Sequence, residues 1–355
     1  MNLNPIINNF QRSIRKVQIC CILILSCTAC SLNIPYENQY SDPDAITTVT
    51  AARELLASAY DAIPKPEFSL SVLSDDFQPT FLINLNADLN NLYKWHPKPM
   101  EDLSNSLWEK YYSAIGIANT VLERIHYVSP ISDSDKQELQ CIVSEAKTLK
   151  AYCYFNLLRL FAPTYPEGPE KDGIILKERF ELAFLKRSSI SECVNAIRQL
   201  LTEAVTVDNR PSQVYWFSRQ SAYYLLAALE LYAENYDKAE EYALKILSST
   251  NAYDVLAPVH YKKLWEQEPC DECIFSLHTT NSYYTDMNYE RKKGDYFTIN
   301  STLTQLYADN DIRYEATVYP QKMPGESIGE TLPVLYLGKY NKQNWNYKPI
   351  QYINK

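Results

Sequence analysis

A short stretch of the chain combines aromatic rings with side-chain amides. Asn90, Asn91, Tyr93 and Trp95 fall within six consecutive residues. A pyranose sugar has an apolar C–H face that a flat ring can cover, and a rim of hydroxyls that amide and phenol groups can bind. The stretch therefore has the chemistry of a carbohydrate-binding site, with Asn91, Tyr93 and Trp95 as predicted ligand contacts; a structural role is the alternative for Trp95.

Tyrosine is frequent in this chain, with 29 residues against 11 phenylalanines and 5 tryptophans. The side chain has an apolar body and a polar tip, so it suits both packing between helices and stacking on a ligand. We expect helix packing to account for most of these tyrosines. In the aromatic-rich stretch near the end of the chain, we assign Tyr283 and Tyr284 to ligand binding as well.

One candidate for hydrolytic chemistry is the acidic pair Asp75 and Asp76. A glycosidase places two carboxyl groups on either side of the bond that it cleaves. Adjacent residues of a helix or strand point in different directions, so solvated or capping roles fit this pair better. The chain has four histidines and no G-x-S-x-G, H-E-x-x-H or P-loop motif. We therefore expect a binding protein with no catalytic residues and no cofactor.

The cysteines do not form a complete disulfide framework. A lone C-x-x-C motif ends at Cys273, and a zinc site there would need two further ligands. Nearby in sequence, only His260 and His278 could supply them, so a local loop or a strained disulfide is favoured and no metal is expected. Cys153 and Cys193 lie among apolar helical residues and are expected in the core.

The chain begins with the pattern of an export signal. A basic cluster ends at Lys16, and an apolar run at residues 19–25 follows, too short to span a bilayer. Small residues precede Cys30, as a bacterial lipoprotein signal peptidase requires. We predict a signal peptide at residues 1–29 and a lipid on Cys30, with Cys27 as the alternative anchor. A plain secretory signal with incidental cysteines is the other interpretation.

Composition limits the possible partners. The net charge is −9, and lysine and arginine form no dense stripe, so nucleic acid is not an expected partner. Seven glycines are too few for a chain built on glycine-rich phosphate loops. No later segment is long and apolar enough to cross a bilayer, so the lipidated cysteine would be the contact with the membrane.

Helical periodicity dominates the first two thirds of the mature chain. Apolar residues recur at three- and four-residue steps over residues 103–125 and 142–161, and in shorter helices up to residue 250. Thr50 is expected to cap the first helix, and Ser189 or Ser191 a later one.

Two regions lack this periodicity. Residues 67–102 show no sustained period, which predicts a long loop. Beyond residue 250 the helical pattern fades, and short strands are expected at residues 274–277 and 335–337.

The break before Tyr236 resembles the turn of a tetratricopeptide repeat. The small Ala239 would let the second helix approach the first, and Tyr236 would fill the turn. Three consecutive helix pairs of this kind stack into a solenoid. The predicted fold class is therefore mainly α, a tetratricopeptide-like solenoid followed by an irregular, loop-rich, Tyr/Trp-rich C-terminal part with short strands.

Two helical motifs stand out in residues 103–161. The first consists of Trp108, Tyr112, Ile115, Ala118 and Asn119. The second consists of Glu145-Ala146-Lys147, Lys150-Ala151-Tyr152, Tyr154-Phe155 and Leu158-Arg159-Leu160-Phe161. Together with the signal ending on a cysteine and Arg187-Ser188-Ser189 before a helix, they resemble the SusD/RagB family of outer-membrane nutrient-binding lipoproteins.

The resemblance implies a surface-exposed helical lid on a SusC-type TonB-dependent outer-membrane transporter. Such a lid captures oligosaccharides, or peptides in some members, and hands them to the pore without chemistry. We therefore expect a lipid-anchored protein that binds oligo- or polysaccharides and delivers them to the transporter. A peptide- or protein-binding RagB-like lipoprotein is the alternative.

The resemblance also gives the expected organisation of the chain. A signal peptide at residues 1–29 precedes a lipid-anchored lead-in at residues 30–48. The helical region covers residues 49–250, and residues 251–355 are the loop-rich remainder of the domain. Family members usually continue further, so we expect the C-terminal end of the domain to be missing.

Overall fold

The structure is a computed structural model that describes residues 46–179, 184–248, 258–265, 273–279, 296–324, 331–337 and 348–354. The α-helices are α1 (Val49–Ala62), α2 (Glu67–Leu73), α3 (Ala87–Tyr93), α4 (Pro97–Arg124), α5 (Asp133–Phe161), α6 (Ile190–Ala204), α7 (Arg219–Tyr232), α8 (Tyr236–Ser248), α9 (Pro258–Trp265), α10 (Ser301–Thr304) and α11 (Ile312–Thr317). Short 3-10 helices lie at Phe81–Leu85, Ile125–Tyr127 and Tyr165–Glu167. The mainly α fold class is confirmed.

The long helices pack against their neighbours in chain order and enclose one main core. The buried side chains include Leu56 of α1, Tyr111 of α4, Leu149 of α5 and Ile197 of α6. The predicted core cysteines Cys153 and Cys193 are buried, and so are Tyr152, Tyr154 and Phe155 of the second motif. Among the described residues, no helix is long and apolar enough to cross a membrane.

Two local predictions differ from the structure, and one is confirmed. Thr48, not Thr50, caps α1, because its hydroxyl accepts a hydrogen bond from the backbone N–H of Ala51. Ser189 caps α6, as expected, in a capping box with Glu192. Tyr236 does not fill the turn before α8, since its side chain is exposed.

The prediction of a long loop at residues 67–102 is wrong. This stretch contains α2, a short strand, the 3-10 helix Phe81–Leu85, α3 and the first turn of α4. The helices are seven residues long, so none shows two full periods of apolar residues in the sequence. Helix α4 starts at Pro97, six residues before the expected start, because proline suits the first position of a helix.

The strands pair as three separate antiparallel ribbons. The strands are β1 (Phe77–Pro79), β2 (Cys273–Thr279), β3 (Phe297–Ile299), β4 (Val318–Pro324), β5 (Thr331–Leu337) and β6 (Lys348–Asn354). β1 pairs with β3, β2 with β6, and β4 with β5. The expected strands at residues 274–277 and 335–337 are thus confirmed within β2 and β5.

Residues of both helical motifs hold an extended segment against α4 and α5. The hydroxyl of Tyr112 lies 2.9 Å from both the backbone nitrogen and the carbonyl oxygen of Ile175. The hydroxyl of Tyr154 lies 2.7 Å from the same two atoms of Lys177, whose carbonyl also accepts a bond from the Asn119 amide. The polar groups of Tyr112, Asn119 and Tyr154 therefore satisfy backbone groups of this segment that would otherwise lack partners.

Arg187 fastens the end of this segment. Its guanidinium donates to the carbonyl oxygens of Phe161 and Gly173, each at 2.9 Å. It also stacks on the ring of Trp108, 5.1 Å from the ring centroid. Trp108 therefore has a packing role, as expected for a motif residue on a helix.

Candidate functional site

The predicted ligand-binding stretch belongs to a small module outside the main core. The module consists of α2, β1, the 3-10 helix Phe81–Leu85, α3 and β3. Its buried residues are Val72, Phe77, Ile83, Leu92 and Phe297, which form a second hydrophobic cluster. Residues about 220 positions apart in sequence thus share one small core, as the pairing of Gln78 with Thr298 shows.

Aromatic rings form the centre of the second cluster. The rings of Phe77 and Phe297 stack at 5.7 Å, and Phe68 lies 6.3 Å from each of them. The ring of Tyr93 lies 5.9 Å from that of Phe297. Aromatic pairs at these separations contribute about 0.5–1.5 kcal/mol each beyond the area that they bury. The ring of Tyr93 therefore stabilises the module.

Helix α3 has well-defined ends. The side chain of Asn86 caps its start by accepting a bond from the N–H of Leu89. At its end, the N–H of Trp95 donates to the carbonyl of Leu92, and the N–H of His96 donates to that of Asn91, both at 2.9 Å. This pair of bonds is the Schellman motif, and it places Trp95 at the position that glycine usually occupies.

Trp95 therefore combines backbone strain with exposure. Its φ is +56°, in the left-handed region that costs a residue with a side chain about 1–2 kcal/mol. The residue is also 61% exposed. Strained residues cluster at functional sites, and large exposed apolar side chains mark binding surfaces. The chain thus presents a flat, open indole face at some cost in stability.

Polar and apolar groups on the same module accompany this ring. The amide of Asn90 donates to the Asn84 side-chain oxygen at 3.4 Å, and Leu85 is 77% exposed. Lys94 and His96 flank Trp95 in sequence, and both are exposed. Amides that bind hydroxyls next to a ring that covers a C–H face suit a carbohydrate better than a purely apolar ligand.

The other predicted ligand contacts have different surroundings. Asn91 is half-buried, and its carbonyl closes the Schellman motif. Tyr93 is half-buried against Phe297. Tyr283 and Tyr284 lie outside the described residues. Of the three predicted contacts in the module, Trp95 is the one with an open face.

Sequence reasoning missed the residues that support the site from β3. Phe297 is buried, and the backbone carbonyl of Tyr296 accepts a 2.9 Å bond from the N–H of Thr80. The high density of aromatic residues in that part of the chain was a signal. It did not reveal which earlier segment they pack against.

The groups considered for chemistry do not form a reactive centre in the described part of the chain. Asp75 and Asp76 are exposed in the turn before β1, and the carbonyl of Asp76 accepts a bond from the N–H of Asn300. Within the described ranges, no group of three or more His, Cys, Asp or Glu side chains could hold a metal ion. Cys270, the first cysteine of the C-x-x-C motif, lies outside those ranges, as do Cys27 and Cys30.

Comparison with known proteins identifies the class. Residues 35–231 match the SusD-like family model described as "starch-binding associating with outer membrane". This match covers more than half of the chain, so the chain belongs to the SusD-like family. That description is of binding proteins, not of enzymes.

Individual relatives support the same fold. The chain is 25% identical over 232 residues to the SusD-like protein P38 of Formosa agariphila, a match over 63% of this chain and 42% of that protein. The chain thus spans less than half the length of this relative. A SusD superfamily crystal structure from Bacteroides vulgatus superposes with a TM-score of 0.67 at 19% identity, covering 85% of this chain and 72% of that one.

A further neighbour has a name that states its ligand. The surface glycan-binding protein A of Bacteroides uniformis superposes with a TM-score of 0.63 at 16% identity. The alignment covers 86% of this chain and 72% of that one. At such low identity the likeness establishes a shared fold.

Proposed function

We propose that this chain is an outer-membrane lipoprotein at the cell surface that binds oligo- or polysaccharides and delivers them to a SusC-type TonB-dependent transporter. Carbohydrate binding and association with the outer membrane are supported by the family description. The exposed ring of Trp95, held on a backbone with positive φ, is the observation that carries the binding role. The family description and the relatives' names give no support to the peptide alternative.

In this proposal a sugar ring stacks on the indole of Trp95. Asn91 and Tyr93, both half-buried on α3, are assigned hydrogen bonds to the same ligand from the sequence. Tyr283 and Tyr284 are assigned to the same ligand from the sequence. Binding by one open ring and a few amides is shallow, which suits capture of a long chain along a surface more than enclosure of a single sugar.

Trp95→Gly should remove binding without harming the fold. Glycine adopts positive φ freely, so the free energy of unfolding should stay the same or rise by about 1 kcal/mol. Loss of the ring should weaken glycan binding by at least about tenfold, which corresponds to about 1.4 kcal/mol. Native affinity electrophoresis against a panel of polysaccharides, including starch, measures the binding, and urea unfolding measures the stability.

Tyr236→Ala is the matched control, because this ring is exposed to nearly the same extent as Trp95, at 62%. The control should migrate like the wild-type protein in every gel. If every glycan that retards the wild-type protein retarded Trp95→Gly to the same extent, the assignment of Trp95 as a ligand contact would be contradicted.

The lipid anchor is a separate part of the proposal. It is supported by the signal pattern that ends on Cys30 and by the outer-membrane association of the family. Mass spectrometry of the mature N-terminus should find an acylated cysteine at position 30, or at position 27. An unmodified terminus at any other residue would contradict the anchor and leave the glycan site unaffected.

A further inference from the structure

We infer that Phe297 is a positioning residue for the glycan ligand: it fixes α3 so that Trp95 presents its ring in one orientation. This inference rests on the proposed function, because it concerns how the proposed binding ring is held. It links ligand binding to a side chain some two hundred residues away in sequence that lies in a different part of the chain.

Helix α3 cannot hold Trp95 in place by itself. The helix has seven residues, and isolated helices shorter than about 12–15 residues are marginal in water. Yet both hydrogen bonds that fix the backbone of Trp95 and His96 end on carbonyls of this helix, those of Leu92 and Asn91. If α3 frays, the left-handed conformation of Trp95 loses its support.

Packing against β3 holds α3 in place. Leu92 is buried in the second cluster together with Phe297, and the ring of Tyr93 lies 5.9 Å from that of Phe297. The ring contact of α3 with Phe297 thus comes from Tyr93, the last residue of the helix, directly before the turn that carries Trp95. A change at position 297 acts on the helix end rather than on its start.

Backbone pairing in turn fixes the position of Phe297. It lies opposite Pro79 in the β1–β3 ribbon, and the register runs on to Phe77 opposite Ile299. A hydrogen bond from Thr80 to Tyr296 and one from Asn300 to Asp76 extend the pairing at both ends, each at 2.9 Å. The position of Phe297 relative to β1 is therefore fixed, and its packing fixes the position of α3 in turn.

The second cluster is distinct from the main core. Among the described residues, Leu103 of α4 is the apolar side chain that packs against both clusters. A defect at Phe297 should therefore loosen the module and leave the helical core folded. This separation makes a selective test possible.

The test compares Phe297→Ala with the wild-type full-length chain. Deleting the ring opens a cavity in the smaller cluster, so the binding-competent orientation of Trp95 is populated less and the apparent affinity falls in proportion. We expect at least about tenfold weaker binding to the polysaccharide that retards the wild-type protein. The helical signal in circular dichroism should melt at the same temperature as before.

A spectroscopic readout separates positioning from general damage. In protein labelled with 5-fluorotryptophan, the ¹⁹F resonance of Trp95, assigned with Trp95→Phe, should shift or broaden in Phe297→Ala. The resonance of Trp108, in the main core, should stay in place. Leu306→Ala is the matched control, because Leu306 is 77% exposed and follows the same strand.

A milder variant keeps the test decisive should the alanine variant fail to fold. Phe297→Leu fills most of the cavity and removes the ring contact with Tyr93, so we expect about threefold weaker binding and a displaced Trp95 resonance. Wild-type affinity together with an unmoved Trp95 resonance in the folded variants would overturn the inference. Unchanged binding in Trp95→Gly would instead overturn the proposed site, which distinguishes the two failures.

Discussion

Glu145→Ala is expected to lower the free energy of unfolding by about 3–5 kcal/mol, the cost of breaking a buried ion pair by removing one partner. The Glu145 residue is 1% exposed. Its carboxylate accepts hydrogen bonds from Arg53 at 2.8 Å, Asn209 at 3.2 Å and Tyr60 at 3.3 Å. The substitution would remove this acceptor from the buried Tyr60 and Asn209 and leave Arg53 paired with Glu138 alone.

The same carboxylate joins three separate parts of the chain. Tyr60 lies on α1, Glu145 on α5, and Asn209 in the connection between α6 and α7. The Tyr60 hydroxyl also accepts from the N–H of Phe217, and the Asn209 amide also donates to the Phe217 carbonyl. Loss of Glu145 should therefore loosen the connection as well as the helices.

Glu138→Ala is the matched control for this prediction. Glu138 lies on the same helix and bonds the same Arg53, but its side chain is 42% exposed. Exposed pairs contribute about 0–1 kcal/mol, so the control should lose at most that much. Urea unfolding followed by circular dichroism measures both variants. Equal losses would show that burial of Glu145 does not set its contribution.

Lys150→Met is expected to stabilise the protein at neutral pH. Lys150 is buried on α5, with its ammonium 5.7 Å from the ring centroid of Tyr154. Burial lowers the pKa of this lysine to about 8, against the opposing influence of Glu178 and Glu123. Methionine keeps the apolar part of the side chain and removes the charge, so we expect a gain of about 1–3 kcal/mol at pH 7.

The sign of the pH dependence follows from proton uptake. Between pH 8 and the usual lysine pKa of about 10.4, the unfolded chain binds more protons at this position than the folded chain does. The wild-type protein should therefore gain stability as the pH rises above 8. The advantage of Lys150→Met should shrink over the same interval, which unfolding measurements from pH 7 to pH 10 can follow.

Lys147→Met is the control for the lysine prediction. Lys147 lies one turn earlier on α5 and pairs with Glu203 at 2.7 Å, with its side chain 25% exposed. Removing this pair should cost at most about 1 kcal/mol. A pH-independent advantage of Lys150→Met, or a loss of stability, would contradict burial as the cause of the lowered pKa.

Local signals in the sequence explain which predictions succeeded. The long helices α4 and α5 were found because apolar residues recur over many turns, and Ser189 was found because capping depends on residues three positions apart. The strands within β2 and β5 were visible as short apolar runs. The capping of α1 was misplaced by two residues, since neighbouring threonines offer the same hydroxyl.

Residues 67–102 show where local signals fail. Helices of seven residues carry too few apolar positions to display a period, and they are stable because they pack in a shared cluster. The partner in that cluster, Phe297, lies in another part of the chain. No spacing within residues 67–102 could have indicated it.

For the candidate site, the residue types alone indicate the kind of ligand. The sequence placed an aromatic ring and amides within six residues, and its helical motifs indicated the family before any contact was known. Which of those groups is exposed depends on packing between distant parts of the chain. Trp95 is exposed and strained whereas Tyr93 packs against Phe297, because the orientation of each ring depends on how α3 meets a strand some two hundred residues further along the chain.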